Sequence, residues 1–269
     1  MTISSVEVTR APRESTHPVV REAVLVKMSL APLSKAVACP ASCSGCCLKE
    51  VCLPGGLDSN DLGELEDLTR VKRRVAKGAA LYRSGDAFAS LYALRSGSFK
   101  CVGASRPGEE KVTGMYLPGD ILGLDAINSL KHGYDAFALE DSEVCVIPFS
   151  RLAQLAQRMP QLQTQLLRIL SGDISRDHGL MLLLGAMDAE QRIAAFLLSL
   201  SRRYQRLGYA AAQFSLRMTR EEIGSYLGLT LETVSRVFSR LQRDGLLLAH
   251  QKEVELKNVP ALQEKVGHW

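Results

Sequence analysis

The sequence predicts an α+β protein in which an antiparallel β-barrel precedes a long helix and a small helical domain. Three observations predict this architecture. Glycine turns divide residues 71–149 into short strand-like runs, residues 150–184 carry apolar side chains at helical spacing, and two capped helices flank a glycine near residue 228. A chain of 269 residues is long enough to build two domains with hydrophobic cores.

Residues 1–58 are expected to form an N-terminal arm followed by a cysteine-rich loop. Five of the seven cysteines lie between Cys39 and Cys52. Thiolates bind zinc, copper(I) and iron–sulfur clusters, and small spacer residues let a short loop fold around such a group. Cys43, Cys46 and Cys52 can supply three ligands, so a fourth must come from elsewhere in the chain. The spacing alone leaves zinc and iron–sulfur equally open.

A disulfide knot is a weaker interpretation of the same loop. The number of cysteines is odd, and nothing else in the sequence indicates an oxidising compartment. The N-terminus does not resemble a signal peptide, and no apolar run approaches the roughly 20 residues of a membrane span. We therefore expect a cytoplasmic protein without membrane segments, in which the thiols stay reduced.

Residues 59–149 are predicted to form a jelly-roll barrel. A short helix with Leu62, Leu65 and Leu68 at helical spacing precedes it. Runs such as Ser90–Leu94 and Val144–Ile147 are strand-like, and glycine turns recur about every ten residues. Barrels of this kind often hold a ligand, although the fold alone does not identify one.

Residues 150–186 are predicted to be one long helix with two apolar faces, and Pro160 lies near its start. Met159, Leu162, Leu166 and Ile169 form the first face. The second is a coiled-coil seam, which indicates a parallel homodimer. This seam consists of Leu167, Leu170, Ile174, Asp177, Met181 and Leu184. A helix packed only against its own barrel is the alternative, but two separate faces favour one against the barrel and one against a partner.

Asp177 interrupts the seam with a charge. In a parallel dimer it lies near its symmetry mate, and the repulsion costs roughly 1–3 kcal/mol. Asp177 is therefore expected to keep the dimer marginally stable. The alternative is that its side chain turns into solvent and costs almost nothing.

Residues 187–269 are predicted to form a winged helix-turn-helix. Asp188–Gln191 and Thr219–Glu222 are capping boxes, Gly228 ends the second helix, and Thr230 caps a third that runs to about Arg243. Two short strands, residues 246–249 and 253–256, form the wing.

The last helix is expected to present polar side chains outward, among them Glu232, Ser235 and Arg236. A helix fits the major groove, arginine binds guanine and glutamate accepts from cytosine, so double-stranded DNA is the predicted partner. Residues 189–269 hold 12 Lys/Arg and 8 Asp/Glu, which accounts for the whole +4 net charge. The five histidines are scattered with no nucleophile beside them, so no enzyme is predicted.

The order of these parts resembles the cyclic-AMP receptor/FNR superfamily of bacterial transcription regulators, and most closely its FNR/Anr-type, oxygen-responsive members. The resemblance covers nearly everything after residue 38. It is carried by the cysteine spacing over residues 39–54 and by Ser90–Gly97, Val144–Phe149, Arg192–Phe196, Met218–Arg220, Ile223–Thr230 and Glu232–Arg236.

The resemblance implies a [4Fe–4S] cluster held by Cys43, Cys46, Cys52 and Cys145. Cys39 then matches a cysteine that is not a ligand, Cys101 has no family role, and Cys47 departs from the usual pattern. It also implies a homodimer that acts with RNA polymerase and binds palindromic DNA of the TTGAT type.

The family resemblance places Glu232, Ser235 and Arg236 among the residues that read the DNA half-site. A cyclic nucleotide is disfavoured as the ligand, because residues 123–125 and 134–136 carry no arginine for its phosphate.

Overall fold

The computed structural model describes residues 42–106 and 109–267. Expectations for residues 1–41, including Cys39, lie outside this part of the chain. The helices are α1 (Ser59–Leu68), α2 (Phe149–Arg158), α3 (Pro160–Ala186), α4 (Ala189–Arg206), α5 (Arg220–Leu227), α6 (Leu231–Arg243) and α7 (Val259–Val266). The strands are β1 (Lys72–Val75), β2 (Ala80–Tyr82), β3 (Ser90–Ser96), β4 (Phe99–Arg106), β5 (Glu109–Tyr116), β6 (Ile121–Leu122), β7 (Asp135–Ala138), β8 (Ser142–Pro148), β9 (Gln213–Ser215), β10 (Leu247–His250) and β11 (Glu253–Leu256).

The predicted jelly roll is confirmed as two four-stranded antiparallel sheets, ordered β1-β8-β3-β6 and β2-β7-β4-β5. Alternate side chains of the strands, such as Leu94, Phe99 and Val144, fill the core between the sheets. The turn at Gly97 has φ +88°, and a Cβ there would overlap Ser142. Only glycine meets both demands, so this turn signal in the sequence has a steric basis.

The predicted single helix over residues 150–186 is two helices. The break is at Met159, whose backbone is extended (φ −122°, ψ 93°). Pro160 causes it, because a proline lacks the N–H that would continue the preceding helix and disfavours helical backbone at the residue before it. The shorter α2 packs on the barrel through Leu152 and Leu155.

Helix α3 has the two predicted faces. Leu162 is fully buried, and Leu166 and Ile169 pack against the barrel core. On the other side, Leu167 is 61% exposed and Met181 65% exposed. Most of the predicted seam lies on this solvent-facing side, whereas Leu170 is half-buried. An apolar stripe of this kind is what a second copy of the helix would cover.

The C-terminal domain forms as predicted around its caps. Both capping boxes make their two hydrogen bonds, at Asp188 and at Thr219, and the Thr230 hydroxyl accepts from the Thr233 N–H. Strand β9 and helix α7 are not among the predicted elements; β9 completes a three-stranded wing sheet ordered β10-β11-β9.

The barrel and the C-terminal domain share a core. Val112 and Met115 of the barrel pack with apolar side chains of the C-terminal domain. Lys100 forms an ion pair with Glu222 at 2.6 Å, and the main-chain N–H of Val112 donates to the Ser225 hydroxyl at 3.0 Å. Helix α5 is therefore held against β4 and β5. None of the helices in the described ranges is long and apolar enough to cross a bilayer.

Candidate functional site

The cysteine loop is shaped by its own main-chain hydrogen bonds. The N–H of Cys46 donates to the carbonyl of Cys43 at 3.3 Å, and the N–H of Cys52 donates to that of Leu48 at 3.0 Å. Leu53 is 1% exposed and belongs to the same core as α1 and α2. The loop is thus a series of tight turns anchored by an apolar side chain.

Four cysteines that form no disulfide line one small pocket between this loop and the barrel: Cys43, Cys46, Cys52 and Cys145. The first three come from the loop, and Cys145 comes from β8. The remaining walls are largely apolar and include Leu53 and Leu94. The four predicted ligands therefore lie around a common space.

The other two described cysteines do not line this pocket. Cys101 lies inside the barrel, 4.0 Å from the Tyr82 hydroxyl, where burial raises the pKa of its thiol to about 12. Cys47 is engaged in a disulfide. The structure therefore distinguishes Cys145 from Cys101, which the spacing within the loop could not do.

Burial favours the protonated form of three pocket thiols, those of Cys43, Cys52 and Cys145. It raises the pKa of Cys52 to about 12 and raises the pKa values of Cys43 and Cys145 above the usual value for a thiol. Lys72 lies beside Cys145 and opposes part of the increase at that sulfur. Without a bound cation these thiols are neutral at pH 7, so each would lose its proton on ligating a metal.

Four cysteines are a donor set that an iron–sulfur cluster takes. Among the described residues, no three His, Cys, Asp or Glu side chains are close enough to share one metal ion. Tetrahedral zinc needs sulfur atoms only about 4 Å apart, since each Zn–S bond is about 2.3 Å. A cluster of iron and sulfide is larger than one ion and takes four thiolates, which is the number that surrounds this pocket.

Three contacts connect the loop to neighbouring elements. The Cys43 sulfur lies 3.1 Å from the Thr69 hydroxyl at the end of α1, and the N–H of Ser44 donates to Glu66 at 2.7 Å. The side-chain amide of Gln165 on α3 donates to the carbonyl oxygen of Cys52 at 3.0 Å. The loop therefore touches the helix that carries the apolar seam.

Sequence reasoning missed Gln165, although a signal was present. It is a polar residue three positions after Leu162 and four before Ile169, on the buried face of α3. It is only 9% exposed. A buried amide needs partners, which is a reason to look for a nearby main-chain carbonyl.

The predicted DNA-reading residues lie together on α6. Glu232, Ser235 and Arg236 are all exposed, whereas Val234 and Phe238 on the opposite side are buried. Hydrogen bonds with its own backbone and with Thr230 lower the pKa of Glu232, so its carboxylate is charged and can accept. This surface offers both an anionic acceptor and a cationic donor to base edges.

The turn before α6 depends on one close approach. A Cβ on Gly224 would lie 2.7 Å from the carbonyl oxygen of Leu229. Glycine at this position lets α5 and α6 come together, and Gly228 takes the left-handed conformation (φ +65°) that ends α5.

In the two stretches compared with a cyclic-nucleotide site, the carboxylates already have partners. Asp125 accepts from the N–H of Gly133 at 2.8 Å, and Asp135 forms an ion pair with Arg83 at 3.0 Å. His132, only 3% exposed, stacks on Tyr82 with ring centroids 3.7 Å apart. Asp135 therefore balances the charge of Arg83, a cation beside these stretches.

Comparisons with known proteins agree with both halves of this architecture. Residues 72–159 match the cyclic nucleotide-binding domain family and residues 191–265 match the Crp-like helix-turn-helix domain family. The solved structure of FixK2 from Bradyrhizobium japonicum is similar with a TM-score of 0.68 and 30% identity, over 74% of this chain and 98% of that one.

Two curated relatives are similar over most of their length. The transcriptional regulatory protein btr of Bordetella pertussis is 47% identical over 84% of this chain and 94% of its own. The fumarate and nitrate reduction regulatory protein of Escherichia coli is 42% identical over 86% of this chain and 92% of its own. These relatives are transcription regulators, not enzymes. The chain belongs to the CRP/FNR family and is an FNR-type transcription regulator.

Proposed function

We propose that this regulator senses oxygen through a [4Fe–4S] cluster held by Cys43, Cys46, Cys52 and Cys145. The observation that carries the proposal is the pocket that these four cysteines line together. When bound, the cluster supplies reactivity toward oxygen, which no thiol in the pocket has to the same degree.

The chain's own residues connect this pocket to the rest of the molecule. Cys145 lies in β8, so a group shared with Cys43, Cys46 and Cys52 ties the loop to the barrel. Gln165 extends the connection from Cys52 to α3. In this scheme, loss of the shared group frees the loop, and α3 loses a contact on its buried face.

Helix α3 forms the homodimer in this scheme. Its exposed apolar stripe includes Leu167, Ile174 and Met181. Removing such apolar surface from water contributes about 25 cal/mol per Å², before the entropic cost of association is subtracted. Asp177 is exposed on the same helix and opposes pairing by charge repulsion. Contacts supplied through the loop offset this repulsion only while the four cysteines share their ligand.

The dimer presents two copies of α6 to DNA. Twofold symmetry places them about one helical turn apart, so they bind a palindrome, with Glu232, Ser235 and Arg236 reading each half-site. The family resemblance suggests a TTGAT-type half-site and RNA polymerase as the partner at promoters. In the corresponding domain division, residues 1–58 carry the loop, 59–149 the sensor barrel, 150–186 the dimer helix and 187–269 the DNA-binding domain.

The test is an absorption spectrum with iron and acid-labile sulfide analysis on protein purified without oxygen, repeated after exposure to air. We expect four irons and four sulfides per chain, bleaching in air, and a shift from dimer to monomer. Protein that is colourless when purified without oxygen would contradict the proposal but leave the DNA-binding role intact.

A second function is a regulator that responds through zinc or through a thiol/disulfide switch. The disulfide at Cys47 is the observation that favours the thiol form, because it is an oxidised sulfur within the same loop. Zinc analysis and mass spectrometry of alkylated cysteines distinguish the cases. One zinc per chain, or a DNA affinity that follows reduction of Cys47 without any iron, would support this alternative.

A further inference from the structure

A second cavity lies away from the four cysteines, on the other side of the loop. Its volume is about 520 Å³, and its walls come from the loop, the barrel, α3 and α4. Cavities of this size hold nucleotide-sized molecules. The four-cysteine proposal assigns no role to it.

Five arginines line this cavity: Arg168, Arg176, Arg202, Arg203 and Arg206. The acidic side chains in its walls are Glu50 and Asp120. Arg176 binds Asp120 at 3.1 Å and Asp173 at 2.7 Å, and Arg203 also binds Asp120. These ion pairs fix two of the arginines and balance their charge. Arg168, Arg202 and Arg206 are exposed, and five arginines against two acidic residues give the cavity walls an excess of positive charge.

Helices α3 and α4 each present a row of arginines to the cavity, and each row includes a small residue, Gly172 on α3 and Ser199 on α4. Arg168, Gly172 and Arg176 follow one another at four-residue steps along α3, so they share one side of that helix. Ser199, Arg202 and Arg206 do the same on α4 at steps of three and four. A Cβ on Gly172 would meet nothing within 4 Å, so the space between the rows is open.

The cavity remains accessible when α3 forms a dimer. At about 100° per residue, Gly172 lies roughly 160° around the helix from Ile174 of the seam. A partner that covers the seam therefore does not cover the Arg168–Arg176 side of α3.

We propose that this cavity binds a small molecule that carries several phosphate groups. An arginine guanidinium can donate two parallel hydrogen bonds to two oxygens of one phosphate group. Arginines from two helices therefore match a chain of phosphate groups better than a single small anion. A ligand there would contact α3 and α4 together, and so would connect the dimer helix with the DNA-binding domain. This inference goes beyond the oxygen-sensing proposal and does not depend on it.

The test is isothermal titration of the full-length chain, purified without oxygen, with inorganic triphosphate at constant ionic strength. The test variant combines Arg168→Gln, Arg202→Gln and Arg206→Gln. The matched control combines Arg151→Gln, Arg158→Gln and Arg243→Gln, which are exposed arginines outside the cavity walls. We expect saturable binding of one triphosphate per chain, weakened roughly tenfold or more in the test variant and unchanged in the control.

A second variant separates the loss of a binding site from the loss of folding. Gly172→Glu places a carboxylate between the two rows of arginines, and glutamate favours a helix more than glycine does. It should fold as well as the original chain and lose triphosphate binding. Equal weakening in the control variant, or an equal response to sulfate, would overturn the proposal. Loss of DNA affinity in the test variant without any triphosphate binding would also overturn it and assign these arginines to DNA phosphates.

Discussion

The side-chain amide of Gln165 donates a hydrogen bond to the carbonyl oxygen of Cys52, over 3.0 Å. The two residues belong to different parts of the protein, the cysteine loop and the helix that carries the apolar seam. The approach requires a glycine nearby, because a Cβ on Gly55 would lie 2.8 Å from the Gln165 amide nitrogen. This contact is a direct physical route from a proposed ligand to the proposed dimer interface.

Gln165→Leu should weaken the dimer without removing iron. It keeps the bulk of the side chain but leaves the Cys52 carbonyl without its donor, which costs about 1–3 kcal/mol. We expect unchanged iron content in oxygen-free preparations and a higher dimer dissociation constant in sedimentation experiments. Gln161→Leu, at an exposed position on the same helix but away from the seam, is the control. An unaltered dissociation constant in Gln165→Leu would show that Gln165 does not connect the cysteine loop to the dimer interface.

Cys145→Ser should abolish DNA binding in the absence of oxygen. The loop would keep its three cysteines, but the tie to β8 would be lost because a serine hydroxyl is a poor ligand for iron. Iron content and gel-shift affinity, measured together, test this. Cys101→Ser is the control, since Cys101 lies inside the barrel and does not line the pocket. If Cys145→Ser binds DNA like the original chain, DNA binding does not depend on a tie between the loop and β8 through Cys145.

Asp177→Ala should give a protein that dimerises and binds DNA in air. Removing like charges from the seam stabilises the dimer by roughly 1–3 kcal/mol, or about 5- to 150-fold in the dissociation constant. Analytical ultracentrifugation in air measures this. Asp67→Ala removes the same charge from an exposed position on α1 and should change nothing. A monomeric Asp177→Ala protein in air would show that Asp177 does not limit dimerisation.

Arg236→Ala should relax sequence specificity as well as affinity. A bidentate contact to a base contributes about 1–3 kcal/mol of discrimination against the wrong base. Fluorescence anisotropy with the palindrome and with single-base variants measures both quantities. Arg243→Ala, in the last turn of α6, should at most weaken all sequences equally. Equal behaviour of the two variants would mean that Arg236 contacts only the DNA backbone.

His132 should make the barrel less stable in acid. Burial lowers its pKa, while Asp125 and Asp86 act in the opposite direction without cancelling the effect. The unfolded chain therefore binds the proton more tightly, so the stabilisation is present above the ordinary histidine pKa of about 6.5 and is lost as the pH falls below it.

Thermal melts across this pH range test the role of His132. His132→Phe keeps a ring against Tyr82 and removes the titrating group, so it should flatten the acid side of the profile. His250→Gln, at an exposed position, should leave the profile unchanged. If the melting temperature of His132→Phe still falls at low pH as it does in the original chain, other titrating groups cause the loss of stability.

Much of the fold followed from local rules. The capping residues Asp188, Thr219 and Thr230 lie where the helices begin, because side-chain oxygens satisfy the free N–H groups of a first turn. The barrel was predicted from its glycine turns for a similar reason: Gly97 has a backbone conformation and a neighbour that exclude other residues. The break at Met159 was readable from Pro160 but was not predicted, and β9 has too few residues to give a periodic signal.

The sequence by itself determined the types of the parts, because caps, turns and apolar periodicity act over a few residues. It also marked Cys43, Cys46 and Cys52 as a group through their spacing. Only the tertiary structure decided which distant residues join them, since sheet pairing and helix packing bring together positions far apart in the chain. Cys145 reaches the pocket through β8, Gln165 reaches Cys52 through α3, and arginines from α3 and α4 line one cavity. These relationships depend on long-range packing, which no local pattern encodes.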